Sequence, residues 1–249
     1  MKPWRFLTRL AALLLLGALA LQLYFATRIA LMNVLAPQST TFQRAEAWRI
    51  LTEQGALPWS QTWVDGEAIS PQLRRAVIAS EDASFAEHSG VDWDALEKAW
   101  ERNQRAQAKL EKKLAQAGPA AKAVKPAKVV GGSTITQQLA KNLFLSGERN
   151  FVRKGQEILI TYMLEGLLSK QRILDIYLNN VEWGEGLFGA QAAARHYFRL
   201  DASRLGPNQA ARLAVMLPAP KRFEKRPASP YVLSRAATIE ARMPAVELP

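Results

Sequence analysis

Residues 10–26 are apolar at every position except Gln22, and Phe6 and Leu7 carry the run back past Arg9. As a helix this stretch spans about 26 Å, the short end of what crosses a bilayer, and a snorkelling Arg9 lengthens it. Beyond it the apolar positions fall into shorter runs at helical spacing. Ser70-Pro71 sets an N-cap serine before a first-turn proline. A helix is therefore expected over 71–82, with Leu73, Ala76, Val77 and Ile78 turned inward and Glu81 at its end. Asp92 is placed to cap a second helix from Trp93, with Leu96, Ala99 and Trp100 at helical spacing. Residues 155–169 are apolar on nearly every side, the pattern of a helix in a core, with Glu157 in its first turn. Ser169 caps a further helix through Ile173, Leu174, Ile176, Tyr177 and Leu178 to Asn179-Asn180. A glycine-bearing loop, 181–189, leads to a helix over 190–198, and Gly206-Pro207 opens a last one that stops at Pro218. No strand-rich run with hairpin turns occurs, so the expected architecture is mainly α.

Composition changes this picture in three places. From about Arg102 the pattern decays into alanine, lysine and glutamine, and 106–128 offers few large apolar residues to bury; it reads as a low-complexity mobile insertion with room for some helix. The formal charge of +11 suggests nucleic acid until it is located: 1–27 carries +3 and 106–128 carries +5, leaving +3 for the rest. No nucleic-acid face is expected. The chain has no cysteine and two histidines, which excludes a disulfide framework and argues against a zinc centre. Lys2, Arg5 and Arg9 precede the apolar run, so the positive-inside rule places 1–9 in the cytoplasm and the rest outside. Ala18-Leu19-Ala20 would suit signal cleavage, but the apolar run continues beyond it and favours an uncleaved anchor. The expected organisation is a basic flank at 1–9, an anchor at 10–27 and a connector at 28–69. A catalytic domain at 70–230 and a tail at 231–249 complete it.

Two segments carry candidate chemistry. Glu81-Asp82-Ala-Ser-Phe85-Ala-Glu-His88-Ser-Gly90 packs three carboxylates and a histidine beside an apolar run, where burial can tune a pKa. The tract from 129 to 154 begins with Gly131 and Gly132, which free backbone N–H groups at a helix start. It continues through Ser133, Thr134, Gln137, Gln138 and Asn142, and carries Lys141, Arg149, Arg153 and Lys154. Donors and cations on one segment make a sensible phosphate surface, yet a Gly-Lys-Ser/Thr P-loop is missing and ATP is not indicated; on composition alone a polar helix cap with ordinary surface charges accounts for the tract better.

With these residues in view the chain resembles the peptidoglycan glycosyltransferases of glycosyltransferase family 51. The segment 81–90 is similar to their first signature and Gly131-Gly132-Ser-Thr-Ile-Thr-Gln-Gln-Leu-Ala-Lys-Asn142 to the second. Arg153-Lys154-Gly-Gln-Glu157 resembles the third, Lys170-Gln-Arg-Ile-Leu-Asp175-Ile-Tyr177-Leu-Asn179 the fourth, and Arg212-Leu213-Ala214 through Pro220 the fifth. The resemblance implies a lysozyme-like helical glycosyltransferase domain on a single N-terminal transmembrane helix in the bacterial inner membrane. It implies polymerisation of lipid II into glycan chains, by inverting β-1,4 transfer with loss of undecaprenyl pyrophosphate. Glu81 matches the family's general base and Glu157 its second essential carboxylate. Lys141, Arg149, Arg153 and Lys154 would contact the pyrophosphate, with Ser133, Thr134, Gln137, Gln138 and Asn142 lining the same cleft. Asp82, Phe85, His88, Gly90, Gly131, Gly132, Tyr177 and Asn179 would shape the motifs. The resemblance leaves a divalent cation on Glu81 and Glu157 as the candidate cofactor, and with oxygen ligands it would be magnesium or manganese. The expected partners are lipid II, the nascent glycan, the bilayer and other cell-wall synthesis and division proteins.

Departures are Asp175 where glutamate is frequent and Thr161 where alanine is. No Ser-x-x-Lys occurs and 29 residues follow Pro220, so a penicillin-binding transpeptidase is not expected. The rival readings are a lysozyme-like lytic transglycosylase or muramidase, and a non-catalytic membrane-anchored scaffold.

Overall fold

A long apolar helix, α1 (Pro3–Leu31), runs into the body of the protein without a break. In the computed structural model, which describes residues 3–117, 131–145, 147, 148 and 150–249, ten further helices follow among those residues. They are α2 (Thr41–Gln54), α3 (Pro71–Glu81), α4 (Trp93–Ala117), α5 (Ile135–Phe144) and α6 (Phe151–Leu167). Then come α7 (Lys170–Asn180), α8 (Ala190–Phe198), α9 (Pro207–Met216), the short α10 (Pro220–Phe223) and α11 (Pro230–Glu240).

The serine caps expected from sequence are present: Ser70 accepts from the Gln72 N–H and Ser169 from the Arg172 N–H. Asp92 likewise accepts from the Ala95 N–H at 2.7 Å. Three expectations change. α4 does not decay at Arg102 but continues to Ala117. Alanine, lysine and glutamine are strong helix formers, and pairs such as Glu101–Arg105 at 3.0 Å support the exposed face. The remainder of the lysine-rich stretch, 118–128, lies outside the described residues.

α6 begins at Phe151 rather than 155, because the Asn150 side chain accepts the Arg153 N–H at 2.7 Å. Glu157 therefore stands in the second turn. Nor is α6 wholly interior: Ile160, Thr161 and Leu164 are buried, while Leu159, Tyr162 and Leu167 are exposed.

Finally, the chain does contain strands: β1 (Ser60–Gln61), β2 (Glu182–Gly184) and β3 (Leu187–Phe188) form a small sheet of order β1-β3-β2. β1 is parallel and β2 antiparallel to β3. Two- and three-residue strands are too short to display an alternating pattern. The turn between β2 and β3 needs Gly186, whose φ is +69° and whose Cβ would fall 2.0 Å from the Pro58 carbonyl oxygen.

The core gathers α3 against α9 and α11, and α5 against α6 and α7. Leu73, Ile78, Phe85, Ile135, Leu139, Ile160, Tyr177 and Trp183 are all fully buried within it. Trp59 stacks on Phe188 at 4.6 Å and Arg172 lies 5.7 Å over the Trp63 ring, so these two connector tryptophans pack on the domain, while Trp48 is exposed.

The lower part of α1 joins the core too. Phe25, Ile29 and Met32 are buried there. Gln22 and Gln156 exchange two amide hydrogen bonds of 3.0 Å, and Asn33 Nδ2 donates to the Leu167 carbonyl at 2.9 Å. Both contacts carry the same sequence offset, so α1 and α6 run parallel and in register for about 16 Å.

Candidate active site

α3 ends by delivering Glu81, half-buried, to the mouth of a turn. Gln138 Nε2 of α5 donates to Glu81 Oε2 at 3.1 Å, and the Ser80 hydroxyl donates to Oε1 at 3.4 Å. Behind Gln138 the Tyr177 hydroxyl of α7 donates to its Oε1 at 3.0 Å. Burial pushes the Glu81 carboxyl above the usual range, Gln138 and Ser80 pull it back, and neighbouring Asp82 adds to the rise.

The turn itself is held by Asp82, which caps α3. One of its oxygens sits 2.8 Å from His88 Nε2 and the other accepts the Ile135 N–H at 2.9 Å, a first-turn donor of α5. The Gly90 N–H donates to His88 Nδ1 at 3.1 Å. That fixes the tautomer: Nδ1 accepts, so Nε2 carries the hydrogen that meets Asp82. Thr134 Oγ1 donates to the Gly90 carbonyl at 2.6 Å and closes the turn against α5. Phe85 fills the space beneath, with Lys170 Nζ 4.5 Å over its ring. Asp82, Phe85, His88 and Gly90 thus build the turn that presents Glu81.

The polar tract is brought to the same helix. Lys141 and Asn142 lie one turn along α5 from Gln138 and line a cleft of about 190 Å³ with Phe42, Leu145, Gly147, Glu148 and Arg153. From the next helix, Arg153 Nη1 bonds Glu157 Oε2 at 2.7 Å, and Lys154 Nζ pairs with the other oxygen of Glu157. Arg153 Nε is buried without a partner among the described residues, a donor directed at no protein acceptor. Glu81 and Glu157 therefore flank one polar strip along α5, joined through Gln138 at one end and Arg153 at the other.

Two expected cleft residues have other duties. Thr134 and Gln137 are buried and form a capping box: the Gln137 N–H donates to Thr134 Oγ1 and the Thr134 N–H to Gln137 Oε1, both at 3.1 Å. Ser133 and Gly131 are exposed before the helix, and Gly132 packs on α4, its Cβ position 3.2 Å from Leu96 Cα. Asn179 ties the connector down, exchanging bonds of 2.9 and 3.0 Å with the Val64 backbone. Arg149 lies outside the described residues.

A metal on Glu81 and Glu157 does not fit the donors as placed. Both Glu157 oxygens are engaged by cations, and those of Glu81 by Gln138 and Ser80. Asp82, His88 and Asp92 do approach one another within 4.8 Å. Asp82 is committed to His88 and Ile135, however, and Asp92 to Ser84 and Ala95, so hydrogen bonds account for the group.

Sequence reading missed two supports. Arg74 on α3 pairs with Asp175 on α7 at 2.6 Å in a buried setting, and Glu165 accepts from Thr136 at 2.6 Å and from Lys170 at 2.9 Å. The available signal was Arg74 itself, a cation standing between Leu73 and Ala76 on the inward face of its helix.

Fold and site together define a helical enzyme joined to one apolar helix long enough to cross a membrane. A family model described as Transglycosylase matches residues 50–244, and the chain belongs to the transglycosylase family. It is similar to the biosynthetic peptidoglycan transglycosylase of Burkholderia thailandensis, 53% identical over 231 residues, covering 93% of this chain and 83% of the relative. A protein of the same description from Burkholderia pseudomallei matches to the same extent. Another, from Paraburkholderia xenovorans, is 47% identical over 247 residues, covering 99% of this chain and 95% of the relative.

Proposed function

We propose that this chain polymerises lipid II into peptidoglycan glycan strands at the outer face of the bacterial inner membrane. The acceptor sugar's 4-hydroxyl attacks the anomeric carbon of the donor and its proton passes to Glu81. The bond to the undecaprenyl pyrophosphate oxygen breaks with inversion, and the pyrophosphate departs with the electron pair. Lys141, Arg153 and Lys154 meet the charge that develops there, and Asn142 contributes a neutral donor. Glu157 acts by holding Arg153 and Lys154 in one place. A desolvated carboxylate is a stronger base than an exposed one, which suits Glu81 to this task.

The observation that carries the reading is the strip along α5. It sets a half-buried carboxylate at one end and paired cations with an unsatisfied buried Arg153 donor at the other. The α1 helix supplies the reason for a lipid-linked substrate, and Lys2, Arg5 and Arg9 before it orient the catalytic part outwards.

The test is the full chain in detergent or vesicles with lipid II. Wild type is expected to form new polymer, Glu81→Gln to lose about 10²–10⁴-fold in rate, and Glu157→Gln to weaken pyrophosphate handling through its released cations. Cleavage of preformed glycan without polymerisation would favour the lytic reading. Undiminished polymerisation by Glu81→Gln would remove Glu81 as the base.

A further inference from the structure

We propose that Tyr177 is a positioning residue for glycosyl transfer: its hydroxyl holds the Gln138 amide in the one orientation that donates to Glu81. The proposal rests on the reading of Glu81 as the base. Tyr177 is buried, and its hydroxyl reaches Gln138 Oε1 at 3.0 Å. The far side of the same amide donates to Glu81 Oε2 at 3.1 Å.

An amide can turn over with little change of shape, so only its partners decide which way it points. Turned over, Nε2 would face the phenol oxygen, and the phenol hydrogen would be left without an acceptor in a buried site. Oε1 would then face Glu81, which it can do favourably only if Glu81 is protonated. Tyr177 disfavours that arrangement, and with it the protonated carboxyl. Burial raises the Tyr177 phenol well above its usual range, so it remains a donor throughout the working pH.

The groups that face Glu81 are few. Ser80 belongs to its own helix, Asp82 to the turn, Gln138 to α5 and Tyr177 to α7. Among the described residues the charged group acting on Glu81 is Asp82, and it is itself held by His88 and the Ile135 N–H. Gln138 is thus the main switchable influence on Glu81, and Tyr177 sets the switch.

The experiment is the pH dependence of kcat and kcat/KM for polymerisation of lipid II by the full chain, comparing wild type, Tyr177→Phe, Gln138→Met and Glu81→Gln. With the constraint gone, Glu81 holds its proton more tightly. The acidic limb for Tyr177→Phe should move up by about one pH unit, a tenfold change in proton affinity, with KM unchanged. Activity should recover as the pH is raised above the new limb. Gln138→Met should shift the limb the same way, and adding Tyr177→Phe to it should shift it no further.

A uniform loss across all pH values, with the limb unmoved, would assign Tyr177 a packing role and overturn the proposal. If Tyr177→Phe fails to fold by thermal unfolding, Gln138→Met decides alone, since an unmoved limb there is equally fatal. Unimpaired polymerisation by Glu81→Gln would defeat the base reading itself, an outcome separable from either limb result.

Discussion

The Asp175 carboxylate, one methylene nearer its backbone than a glutamate's would be, meets Arg74 at 2.6 Å. The pair closes over Gly66, whose Cβ would fall 2.4 Å from both Arg74 Nη2 and the Asp175 oxygens. A longer side chain would need that space, so the shorter acid and the glycine suit each other. Burial raises the Asp175 carboxyl and Arg74 draws it back down. Asp175→Ala would leave the Arg74 charge buried without a partner, at a cost of about 3–5 kcal/mol in chemical unfolding. A loss below about 1 kcal/mol would show that solvent reaches Arg74 freely. The cluster at 81–88 stands out in the sequence because titratable groups crowd beside an apolar run, but only the family resemblance singles out Glu81 within it. The partner of Arg74 was not legible, because it lies on another helix and nothing local points to it.

At the scale of elements, the turn between α3 and α4 depends on Gly90. Its φ is +90°, and a Cβ there would stand 2.6 Å from Thr161 Cγ2 and 2.8 Å from Glu165 Cγ. Gly90→Ala therefore combines backbone strain with a clash against α6, and a loss of about 2–4 kcal/mol is expected. Adding Thr161→Ala should recover part of that loss by removing the Cγ2 contact. No recovery in the double variant would place the whole cost in the backbone. Helix starts marked by Ser70, Asp92 and Ser169 were readable because each cap is local. Thr134 and Gln137 are legible in the same way: Thr-x-x-Gln is a capping signature, and their expected place in the substrate cleft rests on the family resemblance. The strands escaped notice because two or three residues cannot show an alternating pattern, and β1 meets β3 only from far along the chain.

At the scale of the whole molecule, Glu182 lies where α2, β2 and α10 converge. Desolvation lifts its pKa to about 7, with Lys221 opposing and Glu46 and Glu224 reinforcing the rise. Its Oε1 makes no hydrogen bond, although Lys221 Nζ is 3.6 Å away. The folded pKa is above the unfolded one, so the stabilisation is complete below about pH 4.5 and is lost as pH rises through about 7. Glu182→Gln should therefore be more stable than wild type at pH 8, by on the order of 1 kcal/mol and with a higher Tm, and should match it below about pH 4.5. Equal differences at both pH values would mean that the carboxyl titrates normally.

The in-register seam between α1 and α6 makes the boundary between anchor and enzyme a place within a helix, with no hinge at it. Phe25, Ile29 and Met32 belong to the core as much as to the anchor. A chain starting at Leu21 should keep that wedge and remain folded while losing its hold on vesicles. One starting at Pro37 should also lose several kcal/mol of stability, since three buried apolar side chains leave together. Equal unfolding midpoints for the two truncations would mean that α1 is only a tether. In the membrane-anchored enzyme proposed above, the helix is a fixed post, and its length sets the height of the cleft above the lipid.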